Sequence, residues 1–299
     1  MRLRRKKRVV LALGAGGARG LAHIGVIRAL KESEIPIDYI VGVSFGSIVG
    51  ALFSVYSDID EVEKKLKEYL ASPMFKETQR EMNIRENDKA LSFLEKIQET
   101  IKKGYFYTMA LRRKSLVTPE EFVMNMQELV GNLSFADTGI PFKCLSVDLI
   151  TGNPIVFTRG DLLTALQASS ATPGFFPPVS KHGMLLVDGG VAEMVPCNLA
   201  KTCNPDYIIA VDVTSSIRPI NDPEEEIHHS LDVVFRSYDI TRDFMNIYVV
   251  KEIDMVIRPD IGSYSWTDFE YFDTYVEQGY QAAGNKLEQI RKDIFYIDI

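Results

Sequence analysis

The sequence predicts an α/β fold built on a parallel sheet with helices on both faces. Two observations carry that expectation. An unbroken apolar run, Val9-Val10-Leu11-Ala12-Leu13, stops at a glycine cluster, as a strand covered on both faces does. Leu21, Ile24, Ile27 and Leu30 then recur at helical spacing, and a second apolar run, Tyr39 to Val43, leads into the apolar helical stretch Gly46 to Val55. A βαβα order of this kind winds as a right-handed parallel unit.

The remaining elements follow along the chain. Pro36 closes the connection behind the first helix. From Asp58 to Lys103, 11 acids and 10 bases interleave with apolar residues such as Leu91, Leu94, Ile97 and Ile101. That texture predicts a helical insertion outside the sheet, over about residues 58–131. Thr118-Pro119-Glu120-Glu121 has the hydroxyl, first-turn proline and third-position Glu of a capping box, so a helix runs from there to Val130 and ends at Gly131. Phe142 to Leu149 and Ile155 to Phe157 flank the turn Thr151-Gly152-Asn153, which predicts a hairpin. Asp161 to Ala171 reads as a helix, after which Pro173, Pro177 and Pro178 impose an ordered loop. Met184 to Val187 is a short strand running into Asp188-Gly189-Gly190. Tyr207 to Val213 is another buried strand, Ile227 to Val250 a long helix, Ile253 to Ile257 a late strand, and Phe269 to Arg291 one final helix. Residues 8–299 read as a single domain behind a basic arm, residues 1–7.

Composition narrows the function classes. With 299 residues, 46% hydrophobic and 25% charged, the chain is neither disordered nor collagenous. The net charge of −7 conceals a split: six of the 34 cations fall in the first eight residues, leaving 28 cations against 41 acids in the remainder, a net of −13. An acidic body repels a polyanion, which argues against nucleic-acid binding. The arm reads either as a solvated leader or as a contact for an anionic membrane. Cys144, Cys197 and Cys203 are an odd number without CxxC spacing, pointing to free thiols in a reducing, cytoplasmic setting with no metal or cofactor. Glycines from Gly14 onward cut the first apolar run too early for a secretory signal. Gly42, Ser44, Gly46, Ser47, Gly50 and Ser54 likewise break Tyr39 to Tyr56 as a membrane span.

Chemistry concentrates at the loops after strands. Gly42-Val43-Ser44-Phe45-Gly46 matches GxSxG between an apolar strand and an apolar helix, the context in which a nucleophilic serine sits on a strained turn. Flanking glycines are needed because side chains would collide across that turn. The competing reading is a tight turn whose serine caps the helix. Gly14-Ala15-Gly16-Gly17-Ala18-Arg19-Gly20 also joins strand to helix, and its successive N–H groups form an anion nest. A dinucleotide pyrophosphate and an acyl-transfer oxyanion compete for such a nest. The oxyanion gains, because GxGxxG is not strictly matched and the second strand ends in Val43-Ser44 rather than in a ribose-binding acid. Arg19 holds the loop, attracts an anionic headgroup, or makes a surface ion pair. A serine needs a base, and none of His23, His182, His228 and His229 has a persuasive context. Asp188 leaves a strand into two glycines, and burial can raise a carboxylate's proton affinity enough for it to act as base. Its alternative role is turn former.

Three motifs in this order, Gly16-Gly17-Ala18-Arg19-Gly20, Gly42-Val43-Ser44-Phe45-Gly46 and Asp188-Gly189-Gly190, resemble those of the patatin-like phospholipases, the bacterial single-domain branch in particular. Ala168-Ser169-Ser170-Ala171-Thr172-Pro173 is similar to that family's Ala-Ser-containing helix end before proline. The matching blocks are roughly residues 8–57 and 142–213. The resemblance implies a three-layer α/β sandwich with a mainly parallel central sheet, and a metal-free Ser-Asp dyad acting on fatty-acyl esters. It assigns Ser44 as nucleophile, Asp188 as base and the N–H groups of Gly16, Gly17, Ala18 and Arg19 as oxyanion hole. Gly14, Gly20, Gly42, Gly46, Gly189 and Gly190 support those turns. Phospholipase A or lysophospholipase action is the expected activity, with a thioesterase or acyltransferase next. A non-catalytic regulatory module and a nucleotide-binding oxidoreductase are the rival classes. Ala15 stands where the family often has a third glycine; a positive φ there would strain it, and we expect it to be tolerated. Tyr264, Trp266, Phe269, Tyr271, Phe272 and Tyr275 form either a lid or lipid-facing edge or, on the plainer reading, core packing of the last helix. Met124 and Met126 are read as core.

Overall fold

A computed structural model describes residues 7–82, 114–214, 217, 219–220, 227, 230–262 and 264–295. The helix expected around Leu91 to Ile101, most of the basic arm, and His228 and His229 lie outside the described residues. Among these residues eight strands form one sheet: β1 Val9–Leu13, β2 Tyr39–Gly42, β3 Phe142–Asp148, β4 Pro154–Phe157, β5 Val179–Lys181, β6 Met184–Asp188, β7 Tyr207–Val211 and β8 Met255–Ile257. The helices are α1 Ala22–Glu32, α2 Phe45–Tyr56, α3 Ile59–Ala71, α4 Pro73–Met82, α5 Pro119–Val130, α6 Leu162–Ser170, α7 Cys197–Lys201, α8 Ser230–Val250, α9 Phe272–Gly284 and α10 Leu287–Phe295. None of them is long and apolar enough to cross a membrane.

The opening βαβα unit is parallel as expected, with β1 between β2 and β7 and β8 beyond β7. Side chains alternate through the sheet. Val9, Leu11 and Leu13 join one apolar core with Leu30 of α1, Leu52 of α2, Leu66 of α3, Leu166 of α6 and Tyr275 of α9. Val10 and Ala12 join a second core on the opposite face with Leu199 of α7 and Val250 of α8. Helices therefore cover both faces of a three-layer sandwich. The described parts of the insertion, α3, α4 and α5, add to the first layer. Thr118 and Glu121 cap α5 reciprocally, with Thr118 N–H donating to Glu121 Oε2 at 2.8 Å and Glu121 N–H to Thr118 Oγ1 at 3.3 Å.

Three of the seven strand pairings among the described residues are antiparallel. β3 to β4 is the expected antiparallel hairpin, and β6 also runs antiparallel to β3. The partner of β6 in a second hairpin, β5, was not foreseen, because Lys181-His182-Gly183 reads as a bare surface turn. Cys144 pairs with both Gly42 and Phe157, and Ser146 with both Asp188 and Ile155. β4 thus occupies one edge of β3, while β2 and β6 share the other. Their carboxyl ends point at each other, separated by the two-residue step from Cys144 to Ser146, about 7 Å of strand. The single final helix is corrected to a short 3-10 turn and two helices, since the chain breaks at Gly284-Asn285, where Asn285 N–H caps Gln281 O at 3.0 Å. Met126 is core, but Met124 is 54% exposed on the outer side of α5 and is not.

Candidate active site

β2 ends at Gly42 and α2 begins at Phe45, so the chain reverses over Val43 and Ser44. Ser44 takes φ 52° and ψ −130°, a conformation that a side-chain-bearing residue holds only at a cost of about 1–3 kcal/mol. The flanking glycines are sterically required. A Cβ on Gly42 would lie 2.5 Å from Ser47 Cα, and one on Gly46 would lie 2.4 Å from Leu13 O. The strained residue is held from outside: Ser44 N–H donates to Ser169 O at 3.1 Å and toward Ser169 Oγ at 3.2 Å. Ser44 O accepts Ser47 Oγ at 2.6 Å. The side chain stands at the positive end of the α2 dipole.

Asp188 arrives from the opposite direction, at the end of β6. The Ser44 side chain lies close enough to this carboxyl to lower its proton affinity. Gly190 N–H donates to Asp188 Oδ1 at 2.7 Å and Thr172 Oγ1 to Oδ2 at 3.0 Å. Asp188 thus forms its turn and at the same time lies beside Ser44. Burial raises the Asp188 pKa above the ordinary carboxylate range, opposed by Gly190, Ser44 and Thr172. The result is a carboxyl group with enhanced proton affinity facing a serine hydroxyl, which is what proton abstraction requires.

The glycine loop packs against both. The positions where Cβ atoms would stand on Gly20, Gly46 and Gly190 touch Phe45, Gly14 O and Ala15 respectively. Gly14 N–H is bonded to Val211 O at 3.1 Å and Ala15 N–H to Met194 O at 2.7 Å. Ala15 does not have a positive φ, in line with its expected tolerance. Of the four assigned oxyanion donors, two are already engaged. Ala18 N–H donates to Trp266 O at 2.7 Å and Arg19 N–H to Gly16 O at 3.2 Å. Only the N–H groups of Gly16 and Gly17 have no acceptor among the described residues. Gly17 has φ 56°, and a Cβ there would meet Trp266 O at 2.3 Å. Arg19 is buried, and its Nε donates to Gly16 O at 3.3 Å, so it braces the loop.

His23 is also part of the scaffold. Its Nε2–H donates to Gly14 O at 2.8 Å, and burial lowers its pKa to about 4. His182 is exposed on the β5–β6 turn. Neither hydrogen-bonds Ser44 or Asp188 among the described residues. No cluster of three or more His, Cys, Asp or Glu suited to a metal occurs among the described residues, and the three cysteines are buried free thiols. Most of the aromatic segment packs inward, with Tyr271 39% exposed. Tyr275 is fully buried, Phe269 packs on Phe45 and Phe75, and Trp266 meets Phe175 edge-on. Sequence reasoning missed a small open cleft of about 30 Å³ beside the Asp188-Gly189-Gly190 loop, lined by Gly190, Glu193, Met194, Tyr238, Arg242 and Met245. Its signal was available only once α8 was placed over the Asp188 loop.

Residues 11–201 match the family model described as patatin-like phospholipase. The chain is 27% identical to neuropathy target esterase sws of Drosophila melanogaster, covering 94% of this chain and 20% of that protein. It is 26% identical to lysophospholipase NTE1 of Pyricularia oryzae, covering 96% of this chain and 19% of that protein. An uncharacterized NTE family protein of Mycobacterium tuberculosis is 32% identical over 74% of this chain and 53% of its own length. The chain thus spans about a fifth of the first curated relatives it matches. Among solved structures, VipD from Legionella pneumophila aligns at TM-score 0.49 with 15% identity, over 95% of this chain and 67% of that chain. Human GIVD cytosolic phospholipase A2 aligns at TM-score 0.44 with 12% identity, over 96% of this chain and 59% of that chain.

Proposed function

Because this chain belongs to the patatin-like phospholipase family, we propose that it is a serine lipid acyl hydrolase of the phospholipase A or lysophospholipase type, working through Ser44 and Asp188. The observation that carries the reading is a strained Ser44 at the head of α2 beside a buried Asp188 of raised proton affinity. In the proposed cycle Asp188 takes the Ser44 proton as Oγ attacks the ester carbonyl. The oxyanion that forms is met by the N–H groups of Gly16 and Gly17, and loss of one such donor typically costs about 3 kcal/mol in the transition state. The alcohol half of the lipid leaves with the proton from Asp188. Water, deprotonated by the same carboxylate, then releases the fatty acid from Ser44. Cytoplasmic residence, supported by the free thiols, and contact of the basic arm with anionic membrane belong to the same proposal.

The test is labelling by a fluorophosphonate probe together with hydrolysis of a lysophospholipid. Wild-type protein is expected to label and to release fatty acid, and Ser44→Ala to do neither. Asp188→Asn should lower turnover by about a thousandfold or more. A protein with His182, His228 and His229 replaced by Gln should retain activity. Labelling that survives Ser44→Ala would falsify the nucleophile assignment.

A further inference from the structure

Of the two histidines among the described residues, His23 lies beneath the glycine loop, and the proposed cycle gives it no part. It stands fully buried on the first turn of α1. That helix is itself held close to α9: a Cβ on Gly25 would run into Val276 O, and one on Gly279 into Ala22 O. The ring donates Nε2–H to Gly14 O at 2.8 Å, while Nδ1 is buried without a partner among the described residues. A residue that only filled this space would serve better as an apolar side chain, because burying a bare acceptor costs free energy. What an apolar side chain lacks is the donor to Gly14 O.

That carbonyl lies where the glycine loop meets the serine turn. A Cβ on Gly46 would come 2.5 Å from Gly14 O, and the preceding Leu13 O accepts Val43 N–H at 3.1 Å. The Gly14–Ala15 peptide is bonded through both its polar groups, its oxygen by His23 and its N–H to Met194 O at 2.7 Å. A planar peptide held at both ends has little freedom to turn. Leu13 O, Gly14 N–H and Ala15 N–H all find backbone partners, whereas Gly14 O is bonded among the described residues by this side chain alone. One peptide further on begin the Gly16 and Gly17 N–H groups, the two with no acceptor among the described residues.

We propose that His23 is a positioning residue for the oxyanion site, its bond to Gly14 O setting the orientation in which the Gly16 and Gly17 N–H groups face the Ser44 hydroxyl. Oxyanion donors act only when aimed at the place the developing charge will occupy, so a loop that turns loses turnover rather than ground-state binding. The inference rests on the lipid-hydrolase reading for the oxyanion those groups meet, but the setting of the loop itself requires no turnover.

The experiment compares His23→Leu, which fills the space and removes the donor, with His23→Gln, which places an amide N–H where Nε2 stands. On a soluble short-chain ester His23→Leu should lose about tenfold to a hundredfold in kcat with KM within about twofold, and His23→Gln should recover most of that loss. His23→Asn, whose amide is too short to reach Gly14 O, should behave as His23→Leu does and replaces it if the leucine variant fails to fold. In protein isotope-labelled at glycine nitrogen, the Gly16 and Gly17 amide resonances should move in the variants without the bond and return in His23→Gln. Resonances that stay in place, a loss that His23→Gln does not restore, or a change confined to KM overturns the proposal. If wild type hydrolyses no ester while the two resonances still follow the donor, the hydrolase reading falls and the setting of the loop by His23 stands.

Discussion

Thr172 Oγ1 donates to Asp188 Oδ2 at 3.0 Å, while Ala171 O, one residue earlier, accepts the Asp188 N–H at 3.0 Å. Ser169, three residues before Thr172, receives the Ser44 N–H. The end of α6 is thus a clamp on Ser44 and Asp188 together. A hydrogen bond to a charged group contributes about 1.5–3 kcal/mol, and this one favours the ionised Asp188. Thr172→Val removes it at nearly constant volume. The acidic limb of kcat/KM against pH should move upward by about one unit, with activity falling below that limb and nearly preserved above it. Thr172→Ser should restore the wild-type profile, whereas a purely structural loss would lower the whole curve without moving it.

Two alanine substitutions at glycine separate close approach from backbone conformation. At Gly46 the new Cβ would lie 2.4 Å from Leu13 O, backbone of the central strand β1, which cannot give way. Gly131 has φ 61° but nothing within 4 Å. Gly46→Ala should destabilise by about 3 kcal/mol or more and Gly131→Ala by about 1 kcal/mol, read as urea midpoints at constant slope.

Much of this was legible in the sequence because backbone geometry writes itself into glycine positions. Gly42 and Gly46 announced the elbow, and the structure finds Ser44 strained there. Thr118-Pro119-Glu120-Glu121 announced the start of α5. What was not legible depends on direction and on partners far away in the chain. Nothing in Met184 to Asp188 says that β6 runs antiparallel to β3, yet that reversal brings Asp188 toward Ser44. For the same reason the sequence could not show that Ala18 N–H is already bonded, since its acceptor is Trp266 O, remote in sequence. Of the two roles open to the aromatic run from Tyr264, core packing is the one its buried rings take, Tyr264 meeting the fully buried Tyr275 edge-on, whereas nothing in the sequence marked the exposed apolar residues of α8.

The strain at Ser44 makes a stability–activity trade measurable. Glycine adopts φ 52° and ψ −130° without penalty, and alanine does not. Ser44→Gly should therefore be more stable than Ser44→Ala by about 1 kcal/mol, while both are inactive toward esters. Equal thermal midpoints for the two variants would place the strain elsewhere than at this residue.

His23 sets the acid limit of the fold. Its ring is buried beneath the glycine loop, bonded through Nε2 to Gly14 O, and burial lowers its pKa from 6.5 to about 4. Between those values the unfolded chain binds a proton that the folded chain refuses. The contribution of neutral His23 is therefore fully present above about pH 6.5 and is lost as pH falls toward 4, by about 3 kcal/mol in all. Asp188 acts in the opposite sense, because its raised pKa favours the folded state as pH drops through the range where only the folded carboxyl is protonated. A comparison with His23→Gln, which keeps an N–H donor and removes the titration, isolates the histidine from the carboxylate. Urea unfolding at pH 7.5 and at pH 4.5 should show wild type losing about 2–3 kcal/mol more than His23→Gln between the two. Equal losses would mean that His23 is not held neutral, and that the glycine loop is exposed to solvent near Gly14.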